Sequence, residues 1–150
     1  MKKNLLLFIL LVLTIYIGIL VFGEKIDTQE VKIGNTSFNV EWALTEEERQ
    51  KGLSGRASLW KGYGFGFSWE QKKVLPSFWM KGMLFPIDII WINDYRVVKI
   101  HENIQPEPEK SDSELTKYYP DGPVDLVLEV NAGFSGKNNI RVGDNVMIRR

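Results

Sequence analysis

The stretch Leu5–Phe22 constrains this chain more than any other part of it: eighteen residues without a charge, interrupted only by Thr14, Tyr16 and Gly18. At about 1.5 Å of rise per residue it spans roughly 27 Å as a helix, enough to cross a bilayer core. A helix that is apolar all round is hard to bury inside so small a domain, which speaks against a core helix. Lys2 and Lys3 precede the run. Paired basic residues stay on the cytoplasmic side, so everything after Gly23 is expected on the far side of the membrane. Two fates are open to the segment. It is retained as a single-pass anchor, or it is cut as a secretory signal near Val21-Phe22-Gly23. A signal normally has a shorter apolar stretch, so the anchor is the favoured reading. Both fates export the domain; cleavage would leave it soluble.

Residues 1–23 are therefore set apart, and the polar segment 24–30 reads as a linker to a domain over 31–150. The chain has no cysteine. That excludes structural disulfides, a thiol nucleophile, thiolate metal sites and a lipid-modified cysteine. Of 19 basic residues two are Lys2 and Lys3, leaving 17 against 19 acidic ones in the rest. With no basic stripe, nucleic acid is not an expected partner. Arg149-Arg150 reads as a solvated tail.

Within the domain, Val31 and Ile33 alternate with polar or small neighbours, Gly34-Asn35 offers a turn, and Phe38, Val40 and Trp42 share one face. This is a half-buried hairpin. Thr45-Glu46-Glu47-Glu48 is a capping box, with acids at the positive end of the helix dipole, Arg49 and Lys51 toward the other end, and Gly52 as the stop. Such a helix has about two turns and needs a sheet to pack on. From Gly62 to Trp69 small residues alternate with Tyr63, Phe65, Phe67 and Trp69. In a strand this gives one aromatic face and one bare face, which invites tight packing or a ligand. Further strands are expected at Val74–Met80, Ile87–Ile92, Arg96–Ile104, Val124–Asn131 and Asn145–Arg149, with Asn93-Asp94 as a turn. The proline- and charge-rich segment Gln105–Pro120 reads as an exposed loop. About eight strands, one short helix and no βαβ alternation predict an all-β domain, a sandwich or distorted barrel.

Several motifs occur in an order that resembles a known family: Val40-Glu41, Glu48-Arg49, Gly52-Leu53, Arg56, Phe78-Trp79-Met80-Lys81, Pro86–Ile92, Val127–Phe134 and Gly143-Asp144. From about Val31 to Ile148 the chain is similar to the uncharacterised family catalogued as domain of unknown function 192. The resemblance implies a jelly-roll-like all-β domain, often behind an export signal, and no established activity. The chain departs from it at Gly82-Met83, where the family usually has Asn-Thr.

Asp88 stands alone in an apolar strand, and a buried carboxylate must be paired, hydrogen-bonded or protonated. Lys81 and Arg56 are the candidate partners, with backbone amides near Lys81 as the alternative. Glu129 and Asn131 share one face of their strand. They are expected to join Asp88 in a polar cluster, and a pair made of Asp88 and Glu129 would suit a hydrolase. Trp79, with Trp69, Phe78 and Trp91, supplies a candidate aromatic floor, though most such rings belong to cores. His101 is the sole histidine. Its neighbours mark it as an exposed strand residue and a poor metal ligand. No phosphate loop or dinucleotide motif is present, and neither a cofactor nor a metal is expected.

Arg56, Trp79, Lys81, Asp88, Glu129 and Asn131 are thus the candidate ligand residues. The function they suggest is a membrane-tethered, extracytoplasmic binding or accessory domain that contacts a small molecule, an envelope polymer or an envelope protein. A carboxylate-pair hydrolase and an interaction domain without a pocket are the alternatives.

Overall fold

A computed structural model of the chain describes Val12, residues 28–69 and residues 73–149. The apolar run Leu5–Phe22, apart from Val12, lies outside the described residues. Among those described, no helix is long and apolar enough to cross a membrane.

The hairpin is β1 (Thr28–Ile33) and β2 (Thr36–Ala43), joined at Gly34-Asn35. β1 opens at Thr28, inside the segment read as linker. The helix α1 (Glu46–Lys51) carries both halves of its capping box: the Glu48 amide donates to Thr45 Oγ1 at 3.1 Å and the Thr45 amide to Glu48 Oε2 at 2.9 Å. It crosses over to β3 (Tyr63–Ser68), which runs parallel to β2. β4 (Ile87–Asn93) and β5 (Arg96–Ile104) form a second hairpin. Its turn is one residue later than the sequence suggests. Asp94 and Tyr95 both have positive φ, the conformation of a two-residue primed turn that matches strand twist. β6 (Leu126–Asn131), a short helix α2 (Phe134–Lys137) and β7 (Val146–Arg149) complete the chain.

All seven strands belong to one sheet in the order β5-β4-β6-β3-β2-β1-β7. Its two outer strands curl toward each other. The Val146 amide donates to the Tyr95 carbonyl at 2.8 Å, the Gly143 amide to the Val97 carbonyl at 2.8 Å, and Arg96 bridges Asn145. The all-β expectation is met as one rolled sheet, a distorted barrel rather than a two-sheet sandwich. Val74–Met80 is not a strand. Val74 and Phe78 make single bridges to Val124 and Tyr118. Pro76 lies between them and has no amide to give a ladder. The second short helix, α2, was not anticipated.

Rolling the sheet creates two cores. Val31, Ile33, Phe38 and Val40 meet Ile90, Ile92, Leu128 and Val130 inside the barrel. On the outer face Phe65, Phe67, Ile89, Trp91 and Val127 are covered by Leu53, Leu59, Met80, Met83 and Val124 from the long loops. β4 and β6 are thus buried on both faces, which is why Ile87–Ile92 is almost continuously apolar. Gly64 and Gly66 face the inside. A Cβ on Gly66 would lie 2.5 Å from the Trp42 ring and 2.8 Å from Val40, so the bare side of β3 is filled by the side chains of β2.

Candidate functional site

The loops cover the outer face incompletely. Between α1 with its following turn and the segment 76–83 they leave a cleft of about 640 Å³. Arg49 and Gly52–Ser54 form one side, Pro76–Trp79 and Lys81 the other, with Phe67, Trp69 and Met83 between them. Glu129, projecting from the outer face of β6, lines it as well. The two sides are tied to each other, because the Gly55 amide donates to the Gly82 carbonyl at 2.9 Å. Gly82 has φ +65° and a Cβ there would lie 2.3 Å from Ser54 Oγ, so a side chain at this turn is strained and displaces the serine hydroxyl.

Glu129 is only 5% exposed, and its Oε2 has no hydrogen-bond partner. Burial pushes its carboxyl up to about 8, against the downward pull of the Arg56 guanidinium. At neutral pH the group is held mainly in its protonated form, one donor and one acceptor on a single carboxyl. Oε2 lies 3.8 Å from the point where a side chain on Gly52 would begin, so the glycine that ends α1 also leaves space beside the carboxyl.

Of the six residues singled out from the sequence, the cleft gathers Trp79, Lys81 and Glu129 and leaves out Arg56, Asp88 and Asn131. Trp79 is 42% exposed on the wall. Lys81 pairs with Asp112 at the rim rather than with Asp88. Arg56 forms a two-pronged pair with Glu41 at 2.7 and 2.6 Å and sits 5.0 Å over the Phe65 ring. Asn131 Nδ2 donates to the Leu59 carbonyl at 3.0 Å, fastening a loop.

Asp88 is fully buried as expected, but on the inner side of the sheet and with other partners. Oδ1 accepts from the Asn103 amide at 2.8 Å and the Gly133 amide at 2.9 Å, while Oδ2 accepts from the Ser135 amide at 2.9 Å. It clamps the end of β5 and the start of α2. In the β4–β6 register Asp88 stands opposite Val130 and Ile89 opposite Glu129, so the two carboxyls project from opposite faces. The polar cluster and the carboxylate pair are therefore not formed. One substrate cannot reach both groups.

The aromatic residues divide between wall and core. Phe67, Phe78, Trp91, His101 and Tyr118 follow one another edge to face, with centroids 4.7 to 5.8 Å apart. Trp91 is fully buried core. Its indole N–H donates to His101 Nδ1 at 2.8 Å, so His101 is a half-buried acceptor rather than an exposed residue. Burial, with Lys99 nearby, lowers its pKa and favours the neutral ring that this bond needs. Phe67, Met83 and Gly52–Ser54 were not foreseen as site residues. The alternation of β3, which puts Phe65 and Phe67 on one face, was the available signal for the first. Among the described residues no cluster of His, Asp and Glu is arranged to hold a metal.

Two solved structures share this architecture. A protein of unknown function from Novosphingobium aromaticivorans DSM 12444 is 30% identical, with a TM-score of 0.72 over 84% of this chain and 89% of that one. A protein of Sinorhizobium meliloti 1021, described as a candidate transcription regulator, is 26% identical, with a TM-score of 0.72 over 81% of this chain and 94% of that one. No curated protein shows significant similarity. Residues 29–148 match the family described as uncharacterised ACR, domain of unknown function 192, which spans the whole barrel, and the chain belongs to that family.

Proposed function

We propose that this chain is a binding or accessory domain, held outside the cytoplasm by Leu5–Phe22, whose ligand occupies the cleft above Glu129. The observation that carries the reading is the buried, unpartnered carboxyl of Glu129 under an aromatic wall. A polar group left unsatisfied in an apolar setting costs about 1–3 kcal/mol, and a ligand atom that bonds it recovers that energy. A cleft of about 640 Å³ is also in the size range of small-molecule sites. The hydrolase alternative has lost its carboxylate pair, because Asp88 is taken up by three backbone amides on the other side of the sheet. An interaction domain without a pocket leaves Glu129 unexplained. The charge balance of 17 basic to 19 acidic residues beyond Lys3 gives a nucleic-acid role no support.

The test is a thermal-shift screen of the full chain in detergent, repeated on Trp79→Ala. Trp79 is half exposed, so the variant should keep its fold. Compounds that stabilise the wild type should lose their effect in the variant. Compounds that stabilise both equally would put the binding site elsewhere.

A further inference from the structure

Three cations line the cleft, Arg49 and Lys51 on the α1 side and Lys81 on the side opposite. They face a single ionised acid of the lining, Glu46, because Glu129 is held mainly protonated at neutral pH. Arg49 is paired with Glu46 at 3.0 Å and Lys81 with Asp112. Among the described residues Lys51 makes no ion pair. The cleft therefore carries an excess of positive charge, with one cation uncommitted. The rest of the lining is largely apolar: Leu53, Phe67, Trp69, Phe78 and Met83, with the Trp79 indole accessible on the wall. We propose that the cleft takes an organic monoanion with an apolar body, its carboxylate at Lys51 and its body against Trp79 and Phe78 across the cleft. This rests on the reading of the cleft as a ligand site.

Charge and wall each exclude a class. A small inorganic anion would use the cations and leave the aromatic wall in water. A neutral amphiphile would cover the wall and leave Lys51 unmatched. An organic cation could lie on the Trp79 face, but Arg49, Lys51 and Lys81 together oppose it. A single negative charge on an apolar body satisfies both parts of the lining. The two ion pairs at the rim do not block it. Their acids, Glu46 and Asp112, are mostly exposed, and exposed pairs are held by little free energy, so Arg49 and Lys81 can turn toward the ligand. The neutral carboxyl of Glu129 suits the same ligand, since an ionised group there would set a negative charge beneath it. Met83, unbranched and polarisable, fits itself to a ring or to a chain.

The experiment is calorimetric titration of the full chain in phosphatidylcholine nanodiscs, with empty nanodiscs as the blank. The probes are naphthoate, naphthalenemethanol, octanoate and inorganic phosphate. Naphthoate should bind about fivefold or more tightly than the alcohol of the same body, and more tightly than phosphate. Lys51 is exposed at the end of α1, so Lys51→Gln should keep its fold. That variant should bring naphthoate down to the level of the alcohol, and Lys51→Arg should restore the preference. Trp79→Ala should weaken naphthoate and the alcohol alike. Octanoate at least as tight as naphthoate would support the class with a chain for its body, and weaker octanoate would support it with a ring. Equal binding of naphthoate and the alcohol, or a preference untouched by Lys51→Gln, would overturn the anion. Phosphate as tight as naphthoate would overturn the apolar body. In both of these cases binding that still depends on Trp79 would leave the cleft as a ligand site. Binding of every probe unchanged in Trp79→Ala, or no binding together with a screen that yields no Trp79-dependent compound, would overturn this proposal and the reading beneath it.

Discussion

Asp88 and Glu129 lie one residue out of step on adjoining strands, and that parity separates their chemistry. Asp88 projects inward and is satisfied by three amides; Glu129 projects outward and has no such donors. Asp88→Asn replaces one acceptor oxygen with an NH2 group facing a backbone N–H. A buried charged acceptor is lost and at least one amide is orphaned, so the variant should lose about 3 kcal/mol, read from its urea midpoint. An unchanged midpoint would contradict the clamp. That Asp88 must be buried and bonded was legible from its apolar neighbours. Its partners were not, because backbone amides in turns carry no side-chain signature. Asn103 donates from a positive-φ position near the end of β5 and Gly133 from one just ahead of α2, conformations that only the folded chain creates. The burial of His101 is hidden for a related reason: flanking charges at Lys99 and Glu102 suggest exposure, while the ring packs against Trp91 on the neighbouring strand and Tyr118 of the covering loop.

At the level of elements, what local sequence dictates was readable and what neighbours dictate was not. The capping box of α1 is a four-residue signal, and both of its bonds form. Thr45→Ala should cost about 1 kcal/mol in denaturant unfolding, with no loss expected if the hydroxyl were idle. The alternation of β3 identified a strand with one bare face but could not say what fills it. The answer comes from its parallel neighbour, in which Val40 and Trp42 stand opposite Gly64 and Gly66. Gly66→Ala should therefore destabilise by about 1–3 kcal/mol through overpacking against Trp42 and Val40. A neutral effect on the melting temperature would mean that the Trp42 ring swings aside freely. Val74–Met80 has the composition of a strand, but Pro76 confines it to single bridges, and that frees Pro76–Trp79 to line the cleft.

The described domain is a single sheet rolled until its outer strands touch at Arg96 and Asn145, with long loops laid over its outer face. The strand count was nearly legible; the order β5-β4-β6-β3-β2-β1-β7 was not, since pairings between distant segments leave no local trace. The cleft is a property of this scale, formed where α1 and the segment 76–83 fail to meet over Glu129. Whether Leu5–Phe22 stays attached is checked by the mass of the mature protein recovered from membranes. A chain that retains Leu5–Phe22 agrees with an anchor, and a soluble product starting near Glu24 would show a cleaved signal. All of this turns on Glu129 as a protonated carboxyl without a partner at the cleft. In the unfolded chain this group ionises near 4.5 and in the folded one at about 8, so between those values the folded state holds more protons. Its stabilising share is complete below the lower value and is lost as pH rises through the higher one. Glu129→Gln should lack that decline. The most direct measurement is the carboxyl carbon shift of Glu129 followed by NMR against pH. The midpoint should fall near 8; a midpoint near 4.5 would mean that Glu129 is charged at neutral pH and is not held protonated by burial.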